Sequence, residues 1–158
     1  MKKVILVAAL LFSGFLTKIA TAQVHLNVNI GVQPVWGPVG YDHAEYYYMP
    51  DIDAYYNVPK HQYIYQEGGR WRFATTLPAQ FRGYNINNGY KVVINDDPQP
   101  YRHAETYRTK YSGYKGRQDQ EVIRNSHDPK YFVIKDHPEH NQWKKNQNQG
   151  KGNRRRNN

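Results

Sequence analysis

The stretch HQYIYQEGGRWRFAT (residues 61–75) decides the fold. Tyr63 and Tyr65 share one face before Gly68-Gly69, and Trp71 and Phe73 share one face after it. Alternation with a period of two is typical of half-buried strands. Paired glycines accept the positive φ angles that a two-residue turn requires. The stretch therefore predicts a β-hairpin that turns at residues 68–69.

Strand patterns flank this hairpin on both sides. EYYYMPDIDAYYN (45–57) is rich in tyrosine, which favours strands, with an interruption at Pro50. YKVVIN (90–95) predicts a further strand, and VHLNVNIGV (24–32) alternates well enough to predict a first one. Strands that follow one another at such short spacing predict a mainly β protein with a small antiparallel sheet.

Helical signals are short. Residues 101–111 place Tyr101, Ala104, Tyr107 and Tyr111 at roughly helical spacing, and residues 77–81 fit a single helical turn with Pro78 near its start. We therefore expect one or two short helices beside the sheet.

The first 22 residues have the three parts of a secretory signal peptide. Lys2 and Lys3 precede an apolar run over 4–16, and Ala20-Thr21-Ala22 matches the small-x-small pattern of a cleavage site. We expect a mature chain that begins at Gln23 and resides in the periplasm or at the extracellular, outer envelope. No later apolar stretch approaches the ~20 residues of a membrane-spanning helix, so none is expected after cleavage. The chain has no cysteine, which excludes disulfides and N-terminal lipidation.

The net charge of +9 is concentrated near the C-terminus, and no acidic residue follows Glu139. Composition predicts a folded β-rich domain over 23–111, a weakly structured linker over 112–140 and a disordered basic tail over 141–158. The tail of an exported protein would meet anionic lipid, lipopolysaccharide or acidic polysaccharide, and nucleic acid is not expected. The alternative is a terminus that only keeps the protein soluble. The candidate polyanion-binding residues are Lys144, Lys145, Lys151, Arg154, Arg155 and Arg156.

The strand aromatics allow two interpretations. They can pack in a core, or they can form a surface on which a sugar or another flat ligand stacks. Neighbouring strand residues point to opposite faces, so we expect at least one tyrosine in each run to face solvent or a partner. The candidates for ligand stacking are Tyr47, Tyr56, Tyr63, Tyr65 and Trp71.

Two histidines raise the question of a metal site. His137 and His140 flank Glu139, and imidazole and carboxylate groups can bind zinc or copper. Pro138 disrupts a helix there, so a solvated polar tail explains the histidines better. We expect no cofactor.

Motifs of catalysis are scarce in the sequence. The chain has no cysteine nucleophile, no G-x-S-x-G elbow, no phosphate-binding loop and no dinucleotide fingerprint. We expect an exported, non-enzymatic envelope protein with a binding or structural role. The alternatives are a periplasmic binding protein that responds to metal or stress, and a small hydrolase with an unrecognised site. The oligomeric state does not follow from the sequence.

One further pattern spans about a third of the chain. It comprises Tyr46 to Tyr48, Pro50-Asp51, Tyr55-Tyr56, Tyr63 and Tyr65, Gly68-Gly69 with Trp71, and Leu77-Pro78. The pattern resembles a group of small exported Tyr/Trp-rich β proteins of Gram-negative bacteria. The resemblance implies export and a small β-rich domain, and it implies no activity.

Overall fold

Five strands form one antiparallel sheet. The computed structural model describes the backbone of residues 28–156 and the side chains of residues 28–149. The strands are β1 (Tyr46–Met49), β2 (Ala54–Asn57), β3 (Gln62–Glu67), β4 (Arg70–Ala74) and β5 (Val92–Ile94). Their order in the sheet is β4-β3-β2-β1-β5, so the first four strands meander and the fifth returns beside the first. The mainly β prediction is confirmed.

The predicted hairpin is β3 and β4. Glu67 pairs with Arg70 across the turn, and Gly68 and Gly69 have φ values of +56° and +71°. Both angles lie in the left-handed region that a two-residue hairpin turn uses and that glycine enters without a steric cost. The turn therefore needs glycine at both positions.

Both faces of the sheet are buried. One face packs Tyr47, Tyr56 and Tyr63 against Trp36, and the other packs Tyr48 and Tyr55 against a helix, α1 (Ala104–Lys110), and its C-terminal flank. The expectation that a tyrosine in each run faces solvent is wrong. The exposed fractions are 6% or less throughout both runs. The tyrosines still alternate between faces, but loops cover one face and α1 covers the other, which makes three layers instead of two.

Residues 112–140 belong to the folded unit, so the predicted domain boundary at residue 111, with a weakly structured linker after it, is wrong. Ile123, Tyr131 and Ile134 are buried with Val35 in a separate small core. The Tyr131 hydroxyl accepts a hydrogen bond from the backbone N–H of Gly40 at 2.7 Å. Short apolar islands too brief to indicate an element supply this core, so periodicity could not reveal it.

The predicted first strand is also corrected. Residues 24–27 lie outside the described part of the chain, and Ile30–Val32 forms a 3-10 turn. The side chain of Asn29 occupies the position of a strand partner. Its Nδ2 donates to the Ala44 carbonyl at 2.7 Å, and its Oδ1 accepts from the Ala44 N–H at 2.9 Å. These bonds satisfy the backbone N–H and C=O of Ala44 without pairing to another strand.

The basic tail is an extension outside the core, as its polar composition indicated. Its described backbone follows α2 (His140–Arg156), and the prediction of a disordered C-terminal tail fits a segment that packs so little against the domain. The first turn is supported by a hydrogen bond from the Trp143 N–H to the Glu139 carbonyl and by ring contact between His140 and Trp143. From residue 144 to 149 every side chain is exposed. Such a helix owes little to tertiary packing, and its asparagines and glycines have low helix propensity, so it is marginal in water.

Candidate functional site

A groove of about 310 Å³ lies between the β1–β2 turn and the C-terminal end of α1. We call it the Asp53 groove, because the side chain of Asp53 joins the turn to the helix. Its lining combines aromatic rings, hydroxyl groups and charges of both signs: Tyr48, Pro50, Asp53, Arg108, Tyr111, Ser112 and Lys115.

Asp53 has a left-handed backbone, with φ at +49°. Few residues other than glycine adopt this conformation, although aspartate and asparagine tolerate it best. The conformation directs the carboxylate between two donors. Oδ1 accepts from the Tyr48 hydroxyl at 3.2 Å, and Oδ2 accepts from Nε of Arg108 at 2.6 Å.

Arg108 connects α1 to two parts of the sheet. Besides Asp53, its guanidinium donates to a carboxylate oxygen of Glu105 and, at 3.1 Å, to Oε1 of Gln66 in β3. Partial burial alone would lower the pKa of Arg108, but the hydrogen bond and charge of Asp53 outweigh that effect and raise it. The guanidinium is therefore a permanent positive charge in the wall of the groove.

Two buried phenols belong to the same cluster. Burial, and after it the charge of Asp53, raises the pKa of Tyr48 far above its ordinary value. Burial and then the proximity of Tyr48 and Asp53 do the same for the pKa of Tyr55. Both phenols stay neutral, and the Tyr48 hydroxyl donates its proton to Asp53. The Tyr55 hydroxyl is fully buried and has no hydrogen-bond partner within residues 28–149.

The outer rim of the groove carries a cation without a carboxylate partner. Lys115 is exposed and forms no ion pair with any side chain in the described part of the chain. Ser112 donates its hydroxyl proton to the Thr109 carbonyl at 3.0 Å. This arrangement suits binding: it offers donors, an acceptor and a free positive charge around aromatic walls.

Most of the predicted stacking residues lie in the core. Tyr47, Tyr56 and Tyr63 are at most 8% exposed, and the Trp36 ring lies 4.8 Å from that of Tyr56. Their rings offer no face to a ligand, so the packing interpretation holds for these three.

Tyr65 in β3 and Trp71 in β4 are half-buried and pack on opposite faces of the sheet. Trp71 packs edge-to-face on Tyr101, as does Phe73, which is 51% exposed. Phe73 was not among the predicted stacking residues, although its alternation with Trp71 placed both on one face. The stacking candidates therefore do not converge on one site.

The two tail histidines are tied to the domain. His137 is 4% exposed; its Nε2 hydrogen-bonds the Ser126 carbonyl at 3.2 Å, and its Nδ1 accepts from the Glu139 N–H at 3.1 Å. Nδ1 of His140 hydrogen-bonds the Phe132 carbonyl at 2.9 Å. The solvated-tail interpretation is thus wrong for His137. Among the described residues, no group of three His, Cys, Asp or Glu side chains is placed to hold a metal ion.

The polyanion candidates divide into two sets. Lys144 and Lys145 are exposed on α2. The side chains of Lys151, Arg154, Arg155 and Arg156 lie outside the described side chains.

Lys91 is a buried cation that the sequence analysis missed. Its side chain is 1% exposed, and Nζ has no hydrogen-bond partner among residues 28–149. Burial lowers its pKa to about 8, against the opposing charge of Asp51. Its backbone N–H and C=O are bound by the side-chain amide of Gln120, each at 2.9 Å. A lysine inside the alternation of YKVVIN, two residues before Val93, was the available signal.

No family model, no curated protein and no solved structure matches this chain. The resemblance to exported Tyr/Trp-rich proteins therefore stays a prediction. Within the described residues, no helix is both long enough and apolar enough to span a membrane. The function has to be inferred from the residues themselves.

Proposed function

We propose that this protein is an exported, non-enzymatic binding protein of the cell envelope that attaches to polyanionic material through its basic C-terminal helix. The observation that carries the proposal is the charge of α2. Lys144 and Lys145 are exposed and form no ion pair within residues 28–149, and no acidic residue follows Glu139.

In the folded domain, by contrast, several cations are paired with carboxylates. Arg108 pairs with Asp53, Arg117 with Asp119, and Lys130 with Asp42. Such pairing reduces the attraction of the domain surface for a polyanion. The net positive charge gathers in the tail, which has no acidic residue after Glu139 and is free to meet phosphate or carboxylate groups.

The proposed attachment is electrostatic. Trp143 is the only large apolar residue after His140, so α2 lacks an apolar stripe that could enter a bilayer. Basic residues near an anionic surface contribute about 1 kcal/mol each, and salt screens that attraction.

Truncation after His140 tests this proposal. The truncated chain should keep its thermal midpoint and lose retention on vesicles that contain anionic lipid, while neutral vesicles retain neither form. Retention of the intact chain should fall between low and physiological salt. Lys144→Gln with Lys145→Gln should weaken retention, and Lys60→Gln, an exposed lysine of the domain, is the matched control. Equal retention of the truncated and intact chains would contradict the proposal.

Export is tested separately. The mass of the protein recovered from the envelope fraction should correspond to a chain that starts at Gln23, with or without cyclisation of that glutamine. Recovery of a chain that keeps Met1, or recovery from the cytoplasm alone, would contradict export.

A further inference from the structure

We infer that the Asp53 groove binds a sugar unit that carries a carboxylate. This goes beyond the proposed function, because the groove belongs to the folded domain and α2 does not line it. The inference follows from three properties of the lining: its remaining hydrogen-bonding capacity, its unpaired cation and its size.

Hydrogen-bonding capacity remains on both sides of the central ion pair. A carboxylate offers about four acceptor positions, and Asp53 uses one from Tyr48 and one from Arg108. A guanidinium has about five N–H donors, and Arg108 has partners for its Nε and for each terminal nitrogen once. Adjacent free acceptors and donors of this kind match vicinal hydroxyl groups, each of which both donates and accepts.

An unpaired cation of the lining favours an acid. Arg108 is paired with both Asp53 and Glu105, and Lys115 is the lining cation that forms no ion pair within the described residues. A bare inorganic anion would meet the carboxylate of Asp53 as well as the two cations, and that repulsion disfavours it. A ligand that presents hydroxyls to Asp53 and a carboxylate to Lys115 avoids the conflict.

The size and the walls fit one ring. About 310 Å³ is at the lower end of the range for small-molecule sites. Tyr111 and Pro50 give the groove apolar walls for the C–H faces of a sugar, and tyrosine combines such a wall with a polar tip.

The experiment is a titration of the intact mature chain, observed through its backbone amides by NMR. The probes are glucuronate, glucose as its neutral match and inorganic phosphate as an anion without hydroxyls on carbon. We expect glucuronate to shift the amides of Asp53, Ser112, Lys115 and Gly116, with glucose weaker and phosphate without effect there. Lys115→Gln should weaken glucuronate about fivefold, the effect of one exposed charge contact, and leave glucose unchanged.

Lys60→Gln is the control, and it should behave as the unmodified chain does. Because Lys115 is exposed, both variants should keep the thermal midpoint. The inference is overturned if glucuronate leaves these amides unshifted, if phosphate shifts them equally, or if Lys115→Gln binds glucuronate as well as the unmodified chain. Soluble monosaccharides do not test attachment through α2, so failure here is distinct from failure of the vesicle experiment.

Discussion

The hydroxyl of Tyr48 donates a hydrogen bond to Oδ1 of Asp53 across the turn between β1 and β2, at 3.2 Å. The other oxygen of the same carboxylate receives Nε of Arg108 from α1. A single side chain thus fixes the path of the turn and the position of the helix. Its backbone must be left-handed to do so.

Two replacements of Asp53 separate the effect of its backbone conformation from the effect of its hydrogen bonds. Asp53→Val should lower the free energy of unfolding by about 2 kcal/mol or more, since a β-branched residue is strained at positive φ and both hydrogen bonds are lost. Asp53→Asn should cost less, because asparagine tolerates this conformation and keeps an acceptor oxygen. Urea unfolding of both variants measures the difference. Equal costs would show that the backbone conformation carries no strain.

The hairpin turn gives a test of conformation alone. A Cβ at Gly69 would meet no atom within 4 Å, so Gly69→Val changes only the backbone preference. We expect a loss of about 1 kcal/mol or more. Gly113→Ala is the control, because space is also open there and its φ is not in the left-handed region. An unchanged thermal midpoint for Gly69→Val would show that the turn does not require positive φ.

The small core of residues 112–140 sets the boundary of the folded unit. Ile123 is fully buried there, so Ile123→Ala should cost about 2–5 kcal/mol in unfolding free energy. Val133, which is 40% exposed, provides the control, and Val133→Ala should cost well under half as much. If Ile123→Ala is harmless, the segment is a linker after all.

How far the sequence predicts this fold depends on where the information lies. Gly68-Gly69 and the alternation around it specify the hairpin locally, and the tyrosine runs specify their strands. The burial of both faces does not follow from β1 and β2, because Trp36 and α1 reach them only through the tertiary fold. The first strand was predicted wrongly for the same reason, because the side chain of Asn29 bonds the backbone of Ala44, fifteen residues away.

The candidate site was less predictable than the sheet. Asp53 stands out in the sequence only as part of a tyrosine-rich strand stretch, and Arg108 lies unmarked within residues 101–111. Their contact joins residues 55 positions apart, which no local pattern encodes. The charge of the tail, in contrast, depends on composition alone and was visible at once.

Lys91 should make stability depend on pH. Its pKa is about 8 in the folded chain and near 10.5 when it is exposed, so between these values the unfolded chain binds more protons. Stability should therefore rise with pH from about 8 toward 10, by at most about 1.4 kcal/mol per pH unit. Above pH 10 the buried tyrosines reverse the trend, since burial raises the pKa of Tyr56 and Tyr63 to about 12.

Lys91→Met is the matched variant. It should be as stable as the unmodified chain or more stable at pH 7, because an apolar chain of similar length carries no desolvation penalty. Its stability should also lack the rise between pH 8 and 10, while the loss above pH 10 remains. Chemical unfolding at a series of pH values measures both. A rise that persists in Lys91→Met would assign it to another group.

The bonds between Gln120 and the backbone of Lys91 lie at an open edge of the sheet. β5 ends the sheet on one side, and an open strand edge is a template for the strand of another molecule. The side-chain amide of Gln120 acts there as a peptide group would: its oxygen accepts from the Lys91 N–H and its nitrogen donates to the Lys91 carbonyl. These two backbone groups are then not open to the strand of another molecule, and no new strand edge is created. A chain without cysteine, and therefore without disulfides, thus has part of an open strand edge closed by a single side chain.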